Sequence, residues 1–285
     1  MRKHRIKSYC KINISLRVIK KMKNGLHKIN SFVVFAKIYD QLYIQENKNK
    51  KDIIKFYGLF GRGISRTNNT ITKTLNILRQ NNYIKENYFI IKIKKNIPKK
   101  SGLGGGSMNA VSLLLFLIRK YNLNINHKLL LNLASKVGSD VVLGIKLKNT
   151  FFNDKTISFK RFKNTPNFYL LIVKPNLNCS TKLIYSKNRQ FSKKYKNVNI
   201  NKINKLVEFF RSEVNDLEKV AFRIYPKIKR LIKYLNDQKN CEFSRMTGSG
   251  SACVGYFTKL QFAKKALINV KKKFPKYWCK LSKAM

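Results

Sequence analysis

Along Tyr9–Val18 the apolar residues Ile12, Ile14, Leu16 and Val18 fall at every second position, which predicts a strand with one buried face. A turn signal follows at Lys23-Asn24-Gly25, and Ile29–Tyr43 resumes in strand-like runs. The period then lengthens. Ile71, Leu75 and Leu78 share one helical face within Thr67–Gln80, and alternation returns at Phe89, Ile91 and Ile93, closed by Pro98. Met108–Lys120 predicts a helix. His127–Val137 predicts another, with Leu129, Leu130, Leu133, Ala134 and Val137 on its apolar side and Gly138 as its stop. Downstream, Phe168–Val173 reads as a continuous strand and Asn201–Leu235 as helix interrupted at Pro226. Ala252–Phe257 reads as a strand, and Phe262–Phe274 as a helix before a short tail.

Strands and helices mix without a regular βαβ count, so the expected class is α+β. Periodicity is weakest between Lys148 and Lys163, which sets the expected domains at residues 1–155 and 156–285. Ser186–Lys205, rich in Lys and Asn, is expected to be a surface excursion. No internal repeat is visible. The longest apolar stretch, Ala110–Ile118, is broken at Ser112 and far short of the roughly 20 residues a membrane span needs. The basic N-terminus lacks an apolar core of the signal-peptide kind, so a soluble cytoplasmic protein is expected.

Charge changes the picture less than its size suggests. Lys+Arg number 62 against 12 Asp+Glu, a formal net charge of +50. Clustered cations would gain affinity for nucleic acid by releasing counterions. Here, however, 49 of the 62 are Lys and they run end to end, whereas base and phosphate readers lean on Arg. With Asn, Ile, Tyr and Phe also enriched, the bias reads mainly as compositional drift. No specific nucleic-acid or membrane partner is expected, although the charge should draw anionic ligands. The five cysteines are scattered without a C-x-x-C, so neither a zinc site nor a disulfide framework is expected.

Two glycine loops carry the candidate chemistry. Ser101-Gly102-Leu103-Gly104-Gly105-Gly106-Ser107 stands between a strand and a helix, where glycine lets the backbone approach an anion and the helix N-terminus supplies N–H groups. It is neither a Walker A loop nor a dinucleotide fingerprint, since no Gly-Lys-Ser/Thr occurs and the third fingerprint glycine is Ser107. Ser107 is expected to cap the following helix, and a side chain at Gly105 to fill phosphate space. The second loop, Thr247-Gly248-Ser249-Gly250-Ser251, is either a hairpin turn or a second anion nest. Asp140, just past the stop at Gly138, is the most interesting of the few acids. Lys11 stands among so many lysines that its own position says little.

Taken together these motifs resemble those of the GHMP kinase superfamily, over nearly the whole chain. Ser8-Tyr9-Cys10-Lys11-Ile12-Asn13 is similar to an opening S-x-A-K-x-N, and Gly25-Leu26-His27 to G-Y-H. Pro98 through Ala110 resembles P-x-x-x-G-L-G-G-G-S-S-N-A, Gly138-Ser139-Asp140-Val141 resembles G-[SA]-D-V-P, and Arg245–Gly250 resembles R-M-[ST]-G-[ST]-G. The triple glycine and K-x-N opening are those of the branch acting on a cytidine-diphosphate-linked methylerythritol, a step toward isoprenoid precursors. The sequence departs from the pattern at Leu26, Met108 and Val142.

The resemblance implies a two-domain fold with its active site between the domains, and ATP with Mg2+ as cofactor. The nucleotide would lie on Pro98, Lys99, Lys100, Ser101, Gly102, Leu103, Gly104, Gly105, Gly106, Ser107 and Met108. Asp140 would accept the proton of the substrate hydroxyl while Lys11 pairs with it and steadies charge on the transferring phosphoryl. Asn13, His27, Thr181 and Tyr185 would contact substrate, His27 at the cytosine edge and Tyr185 stacked on the ring. No protein-bound metal site is implied. The alternatives are a homoserine- or mevalonate-type kinase of the same superfamily, or a basic nucleic-acid binder, for which no aromatic-plus-Arg track is visible in the sequence.

Overall fold

The computed structural model describes residues 3–23, 25–153, 158–162, 166–193, 195 and 205–285. Asn24 of the expected turn, part of the expected domain boundary and half of the expected Ser186–Lys205 excursion lie outside them. In chain order the strands are β1 His4–Asn13, β2 Arg17–Lys21, β3 His27–Glu46, β4 Ile53–Tyr57, β5 Phe89–Lys94, β6 Thr150–Asn153, β7 Ser158–Arg161, β8 Tyr169–Lys174, β9 Phe243–Met246, β10 Cys253–Phe257 and β11 Trp278–Lys283. The helices are α1 Thr70–Gln80, α2 Gly105–Lys120, α3 His127–Val137, α4 Thr181–Ser186, α5 Leu206–Ser212, α6 Leu217–Ile224, α7 Pro226–Asn236 and α8 Leu260–Lys273. The α+β reading holds.

Contacts divide the chain into two units. One comprises Met1–Cys10, Ile38–Lys99 and Gly104–Leu147; the other comprises Lys11–Lys37, Lys100–Leu103 and Lys148–Met285. The chain thus passes between units within β1, within β3 and inside the first glycine loop, as well as after Leu147.

In the first unit β4 runs parallel to β5, and β5 runs antiparallel to the C-terminal half of β3. The register places Ile54, Ile91 and Ile44 in one cross-strand row, all buried, which is why this stretch of β5 alternates. Helices α1, α2 and α3 pack on one another, and Leu75, Leu78, Leu113, Leu117 and Leu133 along them are buried. Local capping fixes two of their starts. The Asn69 side chain accepts from Ile71 N and Thr72 N, and Asn126 does the same for Leu129 N.

In the second unit an antiparallel sheet has the order β11-β8-β10-β9. Strand β8 lies inside it, and Leu170, Leu171, Ile172 and Val173 are fully buried, which explains their uninterrupted apolar run. One core joins Leu171, Val173, Leu217, Leu231, Leu235, Cys253 and Val270. Pro226 opens α7 at its first turn rather than merely ending α6, a position where its missing N–H costs nothing. The expected single strand Tyr9–Val18 is two, β1 and β2, parted after Asn13. The tail is not a loose end, because β11 pairs with β8 along its length.

Among the described residues, no helix is long and apolar enough to cross a membrane and no group of His, Cys, Asp and Glu could hold a metal ion. None of the five cysteines is in a disulfide.

Candidate active site

Within the second unit, Lys11 and Asn13 stand at the end of β1, each 3% exposed. The Lys11 N–H donates to Leu103 O at 3.1 Å, and its Nζ donates to Asn13 Oδ1 at 2.5 Å. A buried ammonium requires such partners, since desolvating it alone would cost several kcal/mol. Asn13 is itself held on two further sides. Its Nδ2 donates to Ser31 Oγ at 2.7 Å, and its main-chain N–H donates to Thr247 Oγ1 at 3.0 Å.

The second glycine loop is therefore more than a hairpin turn. It braces the first. A β-carbon built on Gly102 would lie 1.9 Å from Thr247 O, and one on Gly248 would lie 3.2 Å from Gly102 O. Only bare backbones can approach so closely, and both glycines have positive φ, +77° and +57°. Ser101 O accepts from Ala252 N at 3.1 Å, extending the contact. On its other side the loop meets Thr181, whose Oγ1 lies 2.8 Å from Ser249 Oγ.

Lys100, Gly102 and Gly104, alternate residues of the first loop, all take positive φ, a backbone form that suits an anion-binding concavity. Helix α2 starts at Gly105, not at Met108. Its N-cap is Gly104 at φ +68°, with no side-chain hydrogen bond to the first turn. Ser107 is thus inside the first turn and does not cap it. This fits a nucleotide phosphate: the opening turn of α2 carries positive dipole and no side-chain cap competes for its N–H groups. Thr70, at the start of α1, fixes that turn by donating to Gly106 O at 2.8 Å.

Other parts of the loop play different roles from those expected. A β-carbon at Gly105 would meet Ile97 Cγ2 at 3.0 Å and Lys95 Nζ at 3.4 Å, so it points into the unit's own interior. Gly106 is the open position, with Thr70 Oγ1 nearest at 3.5 Å. Met108 is 1% exposed and packs beside Gly144, and its N–H is taken by Gly104 O, so it has nothing to offer a ligand. Pro98 and Leu103 are buried, whereas Lys99 and Lys100 are exposed, with Lys99 Nζ donating to Arg62 O at 2.6 Å. Beneath the turn, Lys95 Nζ pairs with Asp40, whose other oxygen accepts from Asn96 N and Ile97 N. Burial pushes the Lys95 amine down, with Asp40 opposing.

His27 and Tyr185, both in the second unit, are brought together with ring centroids 5.0 Å apart. Burial, with Lys21 adding to it, pulls the His27 imidazole below its ordinary range and favours the neutral form. Leu26 is 61% exposed beside it. Asp140, in the first unit, is half-buried in the turn between α3 and the short 3-10 helix Val142–Ile145, where its carbonyl accepts from Leu143 N.

Sequence reasoning missed the segment Glu213–Glu218. Three of the chain's twelve acids fall within these six residues. Glu213 takes the Arg17 guanidinium at 2.8 Å, and Asp216 takes Val18 N at 2.7 Å. Glu218 accepts from Met246 N at 2.6 Å, with its carboxyl pushed up to about 7 by burial against the opposing pull of Met246 N–H and Arg245. Scarcity was the available signal: where acids are so few, three together in six residues mark a place that needs them.

Two family models match the chain: "GHMP kinases N terminal domain" over residues 69–147 and "GHMP kinases C terminal" over residues 197–276. The 4-diphosphocytidyl-2-C-methyl-D-erythritol kinase of Pelagibacter ubique is 42% identical over 285 residues, covering all of both chains. Its counterpart in Wolbachia pipientis wMel is 30% identical over 96% of this chain and 97% of its own. Among solved structures, a 4-(cytidine 5'-diphospho)-2C-methyl-D-erythritol kinase superposes with a TM-score of 0.78 at 22% identity, over 99% of this chain and 100% of its own. Homoserine kinase from Cytophaga hutchinsonii gives 0.66 at 15% identity, over 98% and 95%. These last two likenesses are likenesses of fold.

Proposed function

The chain belongs to the GHMP kinase family, and on that premise we infer that it is an ATP-dependent kinase of 4-diphosphocytidyl-2-C-methyl-D-erythritol. It transfers a phosphoryl group to a hydroxyl of that substrate, in the non-mevalonate route to isoprenoid precursors. The observation that carries this reading is the 42% identity to such an enzyme along the full length of both chains. The pairing of His27 with Tyr185 supports it, since a neutral imidazole and an aromatic face are what a cytosine ring requires.

Residue roles follow as part of the same proposal. Phosphoryl transfer needs alignment and charge neutralisation more than covalent help. The loop from Pro98 to Ser107 holds the triphosphate, with the first turn of α2 facing its charge. Ser107 is the loop hydroxyl that would help hold a nucleotide-borne Mg2+, which would supply charge neutralisation at the phosphates. Asp140 takes the proton of the attacking hydroxyl, and Lys11 offsets charge on the transferring group. Asn13, Thr181, His27 and Tyr185 contact the acceptor substrate, the last two at its cytosine. In sequence, the two family modules fall on either side of residues 155 and 156, which we retain as the boundary between N- and C-terminal domains. The protein acts as a soluble enzyme of the cytoplasm.

A coupled ADP-release assay with the three candidate alcohols tests the reading. Turnover is expected with the cytidine-diphosphate substrate and not with homoserine or mevalonate. Preference for either of the latter would overturn it.

A further inference from the structure

The segment Glu213–Glu218 lies in the second unit and works on two sides at once. Toward β2, Leu16 N donates to Val214 O and Asp216 N donates to Leu16 O, both at 2.9 Å. Toward the second glycine loop, the single Nδ2 of Asn215 donates to Met246 O at 2.7 Å and to Gly248 O at 2.8 Å. The Asn215 Oδ1 accepts from Leu217 N at 3.1 Å, which fixes the amide's orientation at the start of α6. Glu218 Oε1 completes the set by accepting from Met246 N. Asn215 is 3% exposed.

These bonds hold the main chain on both sides of Thr247 and leave Thr247 itself to face Asn13. We propose that Asn215 and Glu218 are positioning residues for the acceptor substrate: they set the Met246–Gly248 backbone, and through Thr247 and Ser249 they place Asn13 and Thr181. This rests on the kinase reading above. The chemistry is specific. One atom bridging two carbonyls must carry two hydrogens, so an amide serves and a carboxylate would set oxygen against oxygen. Met246 N needs only an acceptor, so Gln can replace Glu at 218.

The test measures kcat and KM for each substrate separately, beside calorimetric binding of cytidine diphosphate. Asn215→Ala and Glu218→Leu should raise the acceptor KM and weaken cytidine diphosphate binding by tenfold or more, with the ATP KM, which the same backbone reaches only through Gly102, raised by a clearly smaller factor. Glu218→Gln should restore both to within about twofold of the unaltered chain, and Asn215→Asp should be no better than Asn215→Ala. If the variants lose thermal stability but keep their kinetic constants well below melting, the role is structural only and the proposal fails. Equal losses for ATP and acceptor would also overturn it. Should Asn215→Ala not fold, the Leu and Gln variants of Glu218 carry the comparison. An unaltered chain inert toward every acceptor would instead refute the kinase reading, and the cytidine diphosphate titration would still judge the positioning role.

Discussion

A β-carbon on Gly102 would stand 1.9 Å from the carbonyl oxygen of Thr247, so two glycine loops 145 residues apart touch backbone to backbone. Gly102→Ala should therefore destabilise the fold by about 3 kcal/mol, from the clash and the positive φ together. Gly106→Ala is the contrasting variant, because its β-carbon meets only ordinary contacts and Ala suits a helical turn. Its melting temperature should hold or rise while its ATP KM increases tenfold or more. Normal ATP affinity in Gly106→Ala would show that this turn does not hold the nucleotide.

Asp140→Asn should keep the fold and ATP binding yet lose turnover by about two to four orders of magnitude, the usual worth of a general base. Lys11→Met should be comparably severe. If both serve one step, the double variant loses little more than either alone. Multiplied losses would mean that they act independently.

Acid should weaken capture of the cytidine substrate. The neutral His27 imidazole has a lone pair for the cytosine amine, and protonation removes it. Since the His27 pKa lies below its ordinary 6.5, the acceptor KM should stay flat through neutrality and climb only at lower pH. His27→Ala should flatten that climb, and Tyr185→Leu should cost roughly 1–3 kcal/mol of binding by removing a stacking face. A pH profile identical in His27→Ala would exclude this role.

Glu218 makes a second pH effect, on stability rather than catalysis. Folded, its carboxyl holds a proton to about 7 instead of 4.5, so the folded chain binds the proton more tightly than the unfolded one. Its contribution is complete below 4.5 and is lost as pH rises through 7, on the order of 3 kcal/mol in all. Arg245 is the cation that faces it and favours the charged form. Melting curves of the unaltered chain and Glu218→Gln should diverge steadily from pH 5 to pH 8. Parallel curves would contradict the shift.

The net charge of +50 should give only sequence-tolerant, salt-labile binding to nucleic acid, because lysines neutralise phosphates without reading bases. The fold does gather cations and rings that the sequence leaves scattered: Tyr43, Tyr57, Lys55, Lys92 and Arg66 line a cavity of about 500 Å³ in the first unit. Filter binding on several unrelated sequences, titrated with salt, should show affinity collapsing by physiological ionic strength. A hundredfold sequence preference that persists there would restore a nucleic-acid role.

Much of this protein was legible in its sequence because the signals were local. Helix periodicity recurs every three or four residues, so α1, α3 and α8 were placed within a few residues. The motifs around Gly102, Asp140 and Thr247 could be read because each is a short run. Even Pro226 marked the junction of α6 and α7 correctly, since its effect falls on its own backbone. The strands β4, β6, β7, β9 and β11 were missed, because pairing with a neighbour rather than a clear local period stabilises them.

Tertiary structure alone decided what the glycines are for. Four in five residues suggest one phosphate cradle, yet Gly102 exists for Thr247, Gly105 looks inward at Ile97, and Gly104 starts the helix. Each assignment depends on which atoms arrive opposite the missing side chain. The clasp at Asn215 and Glu218 was hidden for the same reason, since its partners lie about thirty residues away. Sequence fixes what each residue can donate, accept or bury, and only the folded chain brings the partner that turns that capacity into a contact.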